Sequence, residues 1–92
     1  MIKSFAHKGL EAFFRTGSKK GIQPKHEAKL RLQLAALDTA FEASDTDIPG
    51  WRLHPLKGGR ENFWSIWVNG NWRVTFRFEG GHAHVVDYED YH

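Results

Sequence analysis

Four consecutive residues with reactive side chains stand at positions 89–92, in the order Glu-Asp-Tyr-His. Histidine titrates near neutral pH, so His92 is suited to general acid–base catalysis, and the Asp90 carboxylate could tune or share that role. Chain ends are usually frayed and polar, so these residues alone could equally be an ordinary tail. Because the preceding residues have the pattern of a strand, we expect this end to be held in a sheet.

A second group combines an imidazole and an ammonium three residues apart. The segment His-Pro-Leu-Lys-Gly occupies positions 54–58, with His54 at the end of a predicted strand and Lys57 in the loop behind it. Loops at strand ends commonly carry functional residues. Isolated histidines and lysines in loops are more often simply solvated, so this pair indicates a site only in combination with other groups.

A third feature is a strand that alternates strictly between apolar and polar residues. Its apolar positions are 72, 74, 76 and 78, and its other face presents Arg73, Thr75 and Arg77. A guanidinium group binds phosphate bidentately, which makes Arg73, beside a predicted hairpin turn, a candidate phosphate ligand. The alternative is that an open sheet face needs polar residues and that arginine is a common choice, especially at Arg77.

Six of these residues together fit metal-free RNA cleavage: His54, Lys57, Arg73, Asp90, Tyr91 and His92. A base would remove the proton of a ribose 2′-hydroxyl, which attacks the neighbouring phosphorus, and an acid would protonate the leaving 5′-oxygen. Cations would stabilise the charge that grows on the phosphate oxygens. Tyr91 could stack on an unpaired base, so the predicted RNA contacts are Lys57, Arg73, Arg77 and Tyr91.

A zinc site is the competing interpretation of the histidines. His82 and His84 are two residues apart, and four imidazoles with Asp90 could in principle bind the metal. The spacings of standard zinc motifs are absent, however, and the chain has no cysteine. We therefore expect neither a metal nor another cofactor.

The elements that must position these residues are predicted to be two helices followed by a sheet. Leu10, Phe13 and Phe14 have helical spacing, and Gly17 is well placed to end that helix. A longer helix is predicted from Pro24 to about residue 43. The residues predicted to face the core are Ala28, Leu30, Leu34, Leu37 and Phe41, and Leu32, Ala35 and Ala36 widen the apolar face.

The second half of the chain has the two-residue period of strands. Strands are predicted near residues 51–55 and over 63–68, 72–78 and 83–88, and residues 2–5 could form a further short strand. Asn69-Gly70 is a strong hairpin signal, and His82 falls in a predicted turn. The order of elements predicts an α+β fold with two N-terminal helices packed on a curved antiparallel sheet.

Size and charge limit the class of protein. The chain has 92 residues, so we expect a single domain over 1–92. The first residues lack the apolar segment of a signal peptide and no run is long enough to span a membrane, which predicts a cytoplasmic protein. The net charge of +2 is unevenly distributed along the chain: residues 1–30 carry +5 and residues 79–92 carry −4. A basic region of this kind suits a polyanion such as nucleic acid.

In this order, the quoted residues resemble the HigB toxins of type II toxin–antitoxin systems, a branch of the RelE-like ribonuclease superfamily also described as plasmid-maintenance killer proteins. The resemblance covers nearly the whole chain. It is carried by residues 1–5, 54–58, 62–66 (Asn-Phe-Trp-Ser-Ile), 71–76 (Asn-Trp-Arg-Val-Thr-Phe) and 86–92. Residues 19–29 and 41–51 look dissimilar to the family, so the resemblance says least about the partners of those regions.

The resemblance implies an endoribonuclease that cleaves messenger RNA at the ribosomal A site, neutralised by a cognate helix-turn-helix antitoxin of the HigA type. It places the active site on the six residues already named. We expect His92 to be the base with Asp90 as its partner or substitute, Lys57 and Arg73 to stabilise the phosphate, and His54 to position it or act as the acid. The alternative function is a non-catalytic RNA- or protein-binding module of the same fold, which would need only the cations and aromatic residues.

Overall fold

Two α-helices form one layer of the protein and a four-stranded antiparallel sheet forms the other in the computed structural model, which describes residues 1–90. Helix α1 spans Lys8–Thr16 and α2 spans Glu27–Thr39, and short 3₁₀ turns cover Pro24–His26 and Ala43–Thr46. Strands β1 (His54–Pro55), β2 (Phe63–Asn69), β3 (Trp72–Glu79) and β4 (His82–Asp90) lie in the sheet in that order. The predicted α+β class is confirmed.

Local sequence signals explain where α1 begins and ends. The His7 ring accepts a hydrogen bond from the Leu10 N–H at 2.9 Å, which satisfies one of the free donors of the first turn. At the other end, Gly17 adopts a φ of 81° and donates its N–H to the Phe13 carbonyl. A residue with a side chain would be strained in that left-handed conformation, so glycine ends the helix as predicted.

Helix α2 ends earlier than the sequence predicts. It ends at Thr39 instead of about residue 43, because the Asp45 carboxylate accepts hydrogen bonds from the N–H groups of Phe41 and Glu42, which caps a new 3₁₀ turn. Phe41 lies beyond the helix and is 84% exposed, so its assignment to the core is wrong.

The buried stripe of α2 is also narrower than predicted. It follows positions 30, 33, 34 and 37 and includes the buried polar residue Gln33. Leu32 lies about 200° around the helix axis from Leu30 and is 66% exposed. Ala28 and Ala35 are exposed as well. The prediction that these three residues belong to the core is therefore wrong.

The sheet agrees with the predicted hairpin and corrects several strand limits. Strand β1 has only two residues, and β4 runs from His82, which was predicted in a turn, to Asp90. Residues 2–5 form no named strand but contact β4 in parallel through isolated bridges, Ile2 with Ala83 and Phe5 with Val86. Val85 N–H also donates to the Ser4 hydroxyl, across 81 residues of sequence.

The core lies between the helices and one face of the sheet. Leu10, Leu30 and Leu37 from the helices and Val74 and Phe76 from β3 are fully buried there. Of the helices among residues 1–90, none has both the length and the apolar character needed to cross a bilayer.

Candidate active site

The sheet face that points away from the helices carries the predicted reactive residues of β1 and β3. Strand pairing aligns His54 with Ser65, Ser65 with Thr75, and Trp67 with Arg73. Since side chains alternate along a strand and Val74 faces the helices, Arg73 projects to the opposite side. We call this side the open face; its members used below are His54, Ser65, Trp67, Arg73 and Glu89.

The geometry at the centre of the open face is an imidazole beside a guanidinium. The Arg73 Nη1 atom lies 3.3 Å from His54 Nε2, and His54 Nδ1 lies 3.1 Å from the backbone carbonyl oxygen of Arg52. A guanidinium only donates and a carbonyl only accepts. His54 therefore fits this site as a neutral imidazole that carries its proton on Nδ1 and accepts from Arg73 at Nε2.

Ser65 is a further polar neighbour of this pair. Its hydroxyl oxygen lies 3.2 Å from His54 Nε2 and 3.4 Å from Nδ1, and the residue is only 1% exposed. Sequence reasoning did not single out Ser65, and neither did it foresee that Thr75, the next residue in the cross-strand row, is equally buried. Both residues are identified by the pairing register of the strands, which the structure supplies and the sequence does not state.

Lys57 lies in the loop that follows β1, three residues after His54. The loop is fastened to β2 because the Leu56 N–H donates to the Phe63 carbonyl at 2.9 Å. Lys57 itself is exposed. Its predicted role is to stabilise a bound phosphate, and its exposure is compatible with that role.

Two other predicted residues, Asp90 and Arg77, are not aligned with the His54–Arg73 pair in the strand register. Asp90 is aligned with Trp72 and therefore belongs to the helix-facing side of the sheet by alternation, whereas Glu89 is aligned with Arg73 on the open face. Arg77 lies four residues further along β3, roughly 13 Å from Arg73 at ordinary strand rise. Its guanidinium lies 3.5 Å from the Glu79 carboxylate.

The remaining two residues of the predicted set, Tyr91 and His92, lie outside the described residues.

A buried polar cluster packs on the helix-facing side of the sheet, where β3 begins and β4 ends. The Tyr88 hydroxyl is hydrogen-bonded to His26 Nδ1 at 2.6 Å and accepts from the Gln23 N–H at 3.3 Å, and the Trp72 ring stacks on Tyr88 at 4.4 Å between centroids. Burial lowers the pKa of His26 below 6.5, with a smaller effect from Lys25, which favours the neutral ring. Burial likewise raises the pKa of Tyr88 above 10.

Among residues 1–90, no three histidine, aspartate or glutamate side chains are grouped closely enough to hold a metal ion. His84, one of the two histidines considered for zinc, lies with Nε2 3.3 Å from the Glu79 carbonyl oxygen.

Comparison with known proteins gives two matches that agree with each other. A family model described as the RelE-like toxin HigB of type II toxin–antitoxin systems matches residues 3–92. The chain is also 47% identical over 92 residues to a protein of Proteus vulgaris named Endoribonuclease HigB, and the alignment covers 100% of both chains.

Proposed function

The chain belongs to the RelE-like HigB toxins of type II toxin–antitoxin systems, and from this premise we propose that it cleaves messenger RNA at the A site of the translating ribosome. The observation that carries the proposal is the contact between the Arg73 guanidinium and His54 Nε2 on the open face. This contact supports the proposal because a guanidinium can bind phosphate and an imidazole can transfer a proton, and the two lie together on the open face.

Each residue of the site has a proposed part in the reaction. His92, with Asp90 as its partner or substitute, removes the proton from the ribose 2′-hydroxyl, whose oxygen then attacks the adjacent phosphorus. Arg73 and Lys57 stabilise the negative charge that develops on the phosphate oxygens, as preorganised cations do in other phosphoryl-transfer sites. His54 either positions the phosphate, by orienting the Arg73 guanidinium, or acts as the acid that gives the leaving 5′-oxygen its proton. Tyr91 stacks on a base of the message.

We propose further that the chemical step needs no divalent metal ion, because Arg73 and Lys57 supply the positive charge. Ribosomes require magnesium, so the metal content of the purified toxin is the quantity to measure. The proposal predicts full cleavage by metal-depleted toxin on programmed ribosomes. Stoichiometric zinc whose removal abolishes cleavage, with the fold and ribosome binding intact, would overturn it.

The family implies a cognate antitoxin, and we propose that it is a helix-turn-helix protein of the HigA type. We also propose that the toxin acts in the cytoplasm, where its ribosomal target is found. Co-expression with the neighbouring reading frame tests the first proposal, because only a cognate antitoxin should restore growth and copurify with the toxin.

The catalytic proposal is tested by a matched pair of arginine substitutions on β3. Arg73→Ala should lower the single-turnover rate on programmed ribosomes by roughly 100- to 1,000-fold, the usual effect of losing one transition-state donor. Arg77→Ala removes an equal charge further along the same face and should have a much smaller effect. Equal rates for Arg73→Ala and the unmodified toxin would reject the assignment.

The proposed base is tested separately by growth. Expression of the unmodified chain should arrest bacterial growth, and His92→Ala should relieve the arrest. A variant that folds normally and stays fully toxic would show that His92 is not the essential base.

A further inference from the structure

We propose that Arg52 is a positioning residue of the active site: it fixes the tautomer of His54 and, through His54, the orientation of the Arg73 guanidinium. The proposal rests on the proposed function in so far as that function assigns His54 and Arg73 to the RNA-cleaving site. It adds a residue that the sequence did not mark as reactive.

The first observation is the backbone of Arg52. Its φ is +52°, in the left-handed region that residues with a side chain seldom occupy. Such conformations persist only where the surroundings hold them, and they cluster at functional sites. Arg52 stands two residues before His54, so its backbone decides how the chain enters β1.

The second observation is that Trp67 holds this conformation from two sides. The Trp67 N–H donates to the carbonyl of Trp51 at 2.7 Å, which fixes the residue before Arg52. The Arg52 guanidinium carbon lies 4.3 Å from the centroid of the Trp67 ring, a cation–π contact. The indole N–H donates in turn to the Gly70 carbonyl at 2.9 Å, so the ring is itself anchored to the hairpin turn.

The third observation is where the Arg52 carbonyl points. It lies 3.1 Å from His54 Nδ1, whereas Arg73 lies 3.3 Å from the other ring nitrogen, Nε2. In the other neutral tautomer, the Nε2 proton would face a guanidinium N–H and the Nδ1 lone pair would face a carbonyl oxygen. Both contacts would be repulsive, so the Arg52 carbonyl selects the tautomer that can hold Arg73.

The test compares Arg52→Gln, Arg52→Lys and Lys29→Gln in the full chain. Lys29 is the matched control because its Nζ lies 4.6 Å from the same indole centroid but its backbone has no part in the His54 contact. Two quantities are measured: the nitrogen chemical shifts of His54 by NMR in RNA-free toxin, and single-turnover cleavage of ribosome-bound message over a range of ribosome concentrations.

Arg52→Gln should convert the single Nδ1–H tautomer into a mixture. It should also lower the maximal cleavage rate by roughly 10- to 100-fold, the scale expected when a catalytic group is displaced by about 1 Å. The half-saturating ribosome concentration should stay the same. Arg52→Lys keeps a cation over the ring and should largely rescue both readouts, and Lys29→Gln should leave the tautomer unchanged.

Several outcomes would overturn the proposal. If the tautomer is unchanged in Arg52→Gln while half-saturation rises, Arg52 binds RNA directly and does not position His54. If Arg52→Gln fails to fold, Arg52→Met is substituted, since methionine keeps an unbranched side chain at the Trp67 ring but removes the charge; an unchanged tautomer and rate in that variant reject the role. Failure of the proposed function is recognised by a separate measurement. If His54→Ala cleaves as fast as the unmodified toxin, His54 is not part of the active site, whatever tautomer it has in the unmodified protein.

Discussion

His26 and Tyr88 show how a buried polar pair can make a small protein sensitive to pH. His26 is 1% exposed and depends on Tyr88 for its hydrogen bond, and its folded-state pKa lies below the 6.5 of an exposed histidine because of burial first and Lys25 second. The unfolded chain therefore takes up a proton on this ring at a higher pH than the folded protein does. Its contribution to stability is complete above pH 6.5 and is lost as the pH falls below that value.

We accordingly predict that the free energy of unfolding decreases between pH 7.5 and 5.5 less steeply in His26→Gln than in the unmodified protein. One proton changes the slope by at most about 1.4 kcal/mol per pH unit. The pKa of His82 is also lowered, by desolvation first and then by Lys3, the N-terminal amine and His84. Because both proteins keep His82, its effect on the pH dependence is the same in each and does not change the difference between them. Urea unfolding at five pH values measures the difference, and parallel pH profiles would contradict the prediction.

Glu89 and Asp90 are adjacent carboxylates that the pleat places on opposite sides of the sheet. Glu89 faces Arg73 across the open face, and its Oε1 lies 4.0 Å from Arg60. We predict that Glu89→Gln lowers the half-saturating ribosome concentration with little change in maximal rate, because it removes a negative charge beside the phosphate site. Asp90→Asn should instead lower the maximal rate. The reverse pattern in single-turnover kinetics would make Glu89 the acid–base carboxylate.

At the scale of elements, the early end of α2 has a direct consequence for stability. Phe41 is 84% exposed beyond the helix, whereas Leu37 is fully buried. We predict that Phe41→Ser changes the free energy of unfolding by no more than about 0.5 kcal/mol. Leu37→Ala should cost about 2–5 kcal/mol through loss of apolar burial and a residual cavity. Urea titrations of both variants measure this, and a large loss in Phe41→Ser would place that ring in the core after all.

Elements specified by local chemistry were predictable, and those specified by long-range contacts were not. The hairpin at Asn69-Gly70 follows from the positive φ that Gly70 adopts, and alternation alone assigned Arg73 to the open face. The contact between Arg73 and His54 needed the register of three strands, which the sequence does not state. The strained backbone of Arg52 depends on Trp67, 15 positions away, so no local pattern could indicate it.

At the scale of the whole molecule, the structure shows where part of the positive charge of residues 1–30 lies. The connector between the helices, residues 17–26, is fastened to β4 because the Gln23 N–H donates to the Tyr88 hydroxyl, and it carries Lys19, Lys20 and Lys25. Lys19 lies 3.2 Å from the Glu27 carboxylate. Lys20 and Lys25 form no ion pair within 4.0 Å in the described part of the chain.

This arrangement predicts salt-dependent ribosome binding that depends on particular lysines. The logarithm of the association constant should fall linearly with the logarithm of salt concentration. Replacing Lys20 and Lys25 together by Gln should reduce that slope by about 2, roughly 1 for each lost phosphate contact. Lys19→Gln is the control, with a smaller effect because Glu27 already offsets its charge. Equal slopes for all three proteins, measured by filter binding, would exclude the connector from the ribosome contact.

The pairing of residues 2–5 with β4 also bears on how the chain folds during its synthesis. The N-terminal segment donates to and accepts from backbone groups near Ala83 and Val86, and Val86 and Tyr88 complete the core against the helices. Translation proceeds from the first residue, so these partners emerge only after nearly all the rest of the chain. The N-terminal segment therefore has no partner strand, and the core stays incomplete, until residues 82–90 have been synthesised.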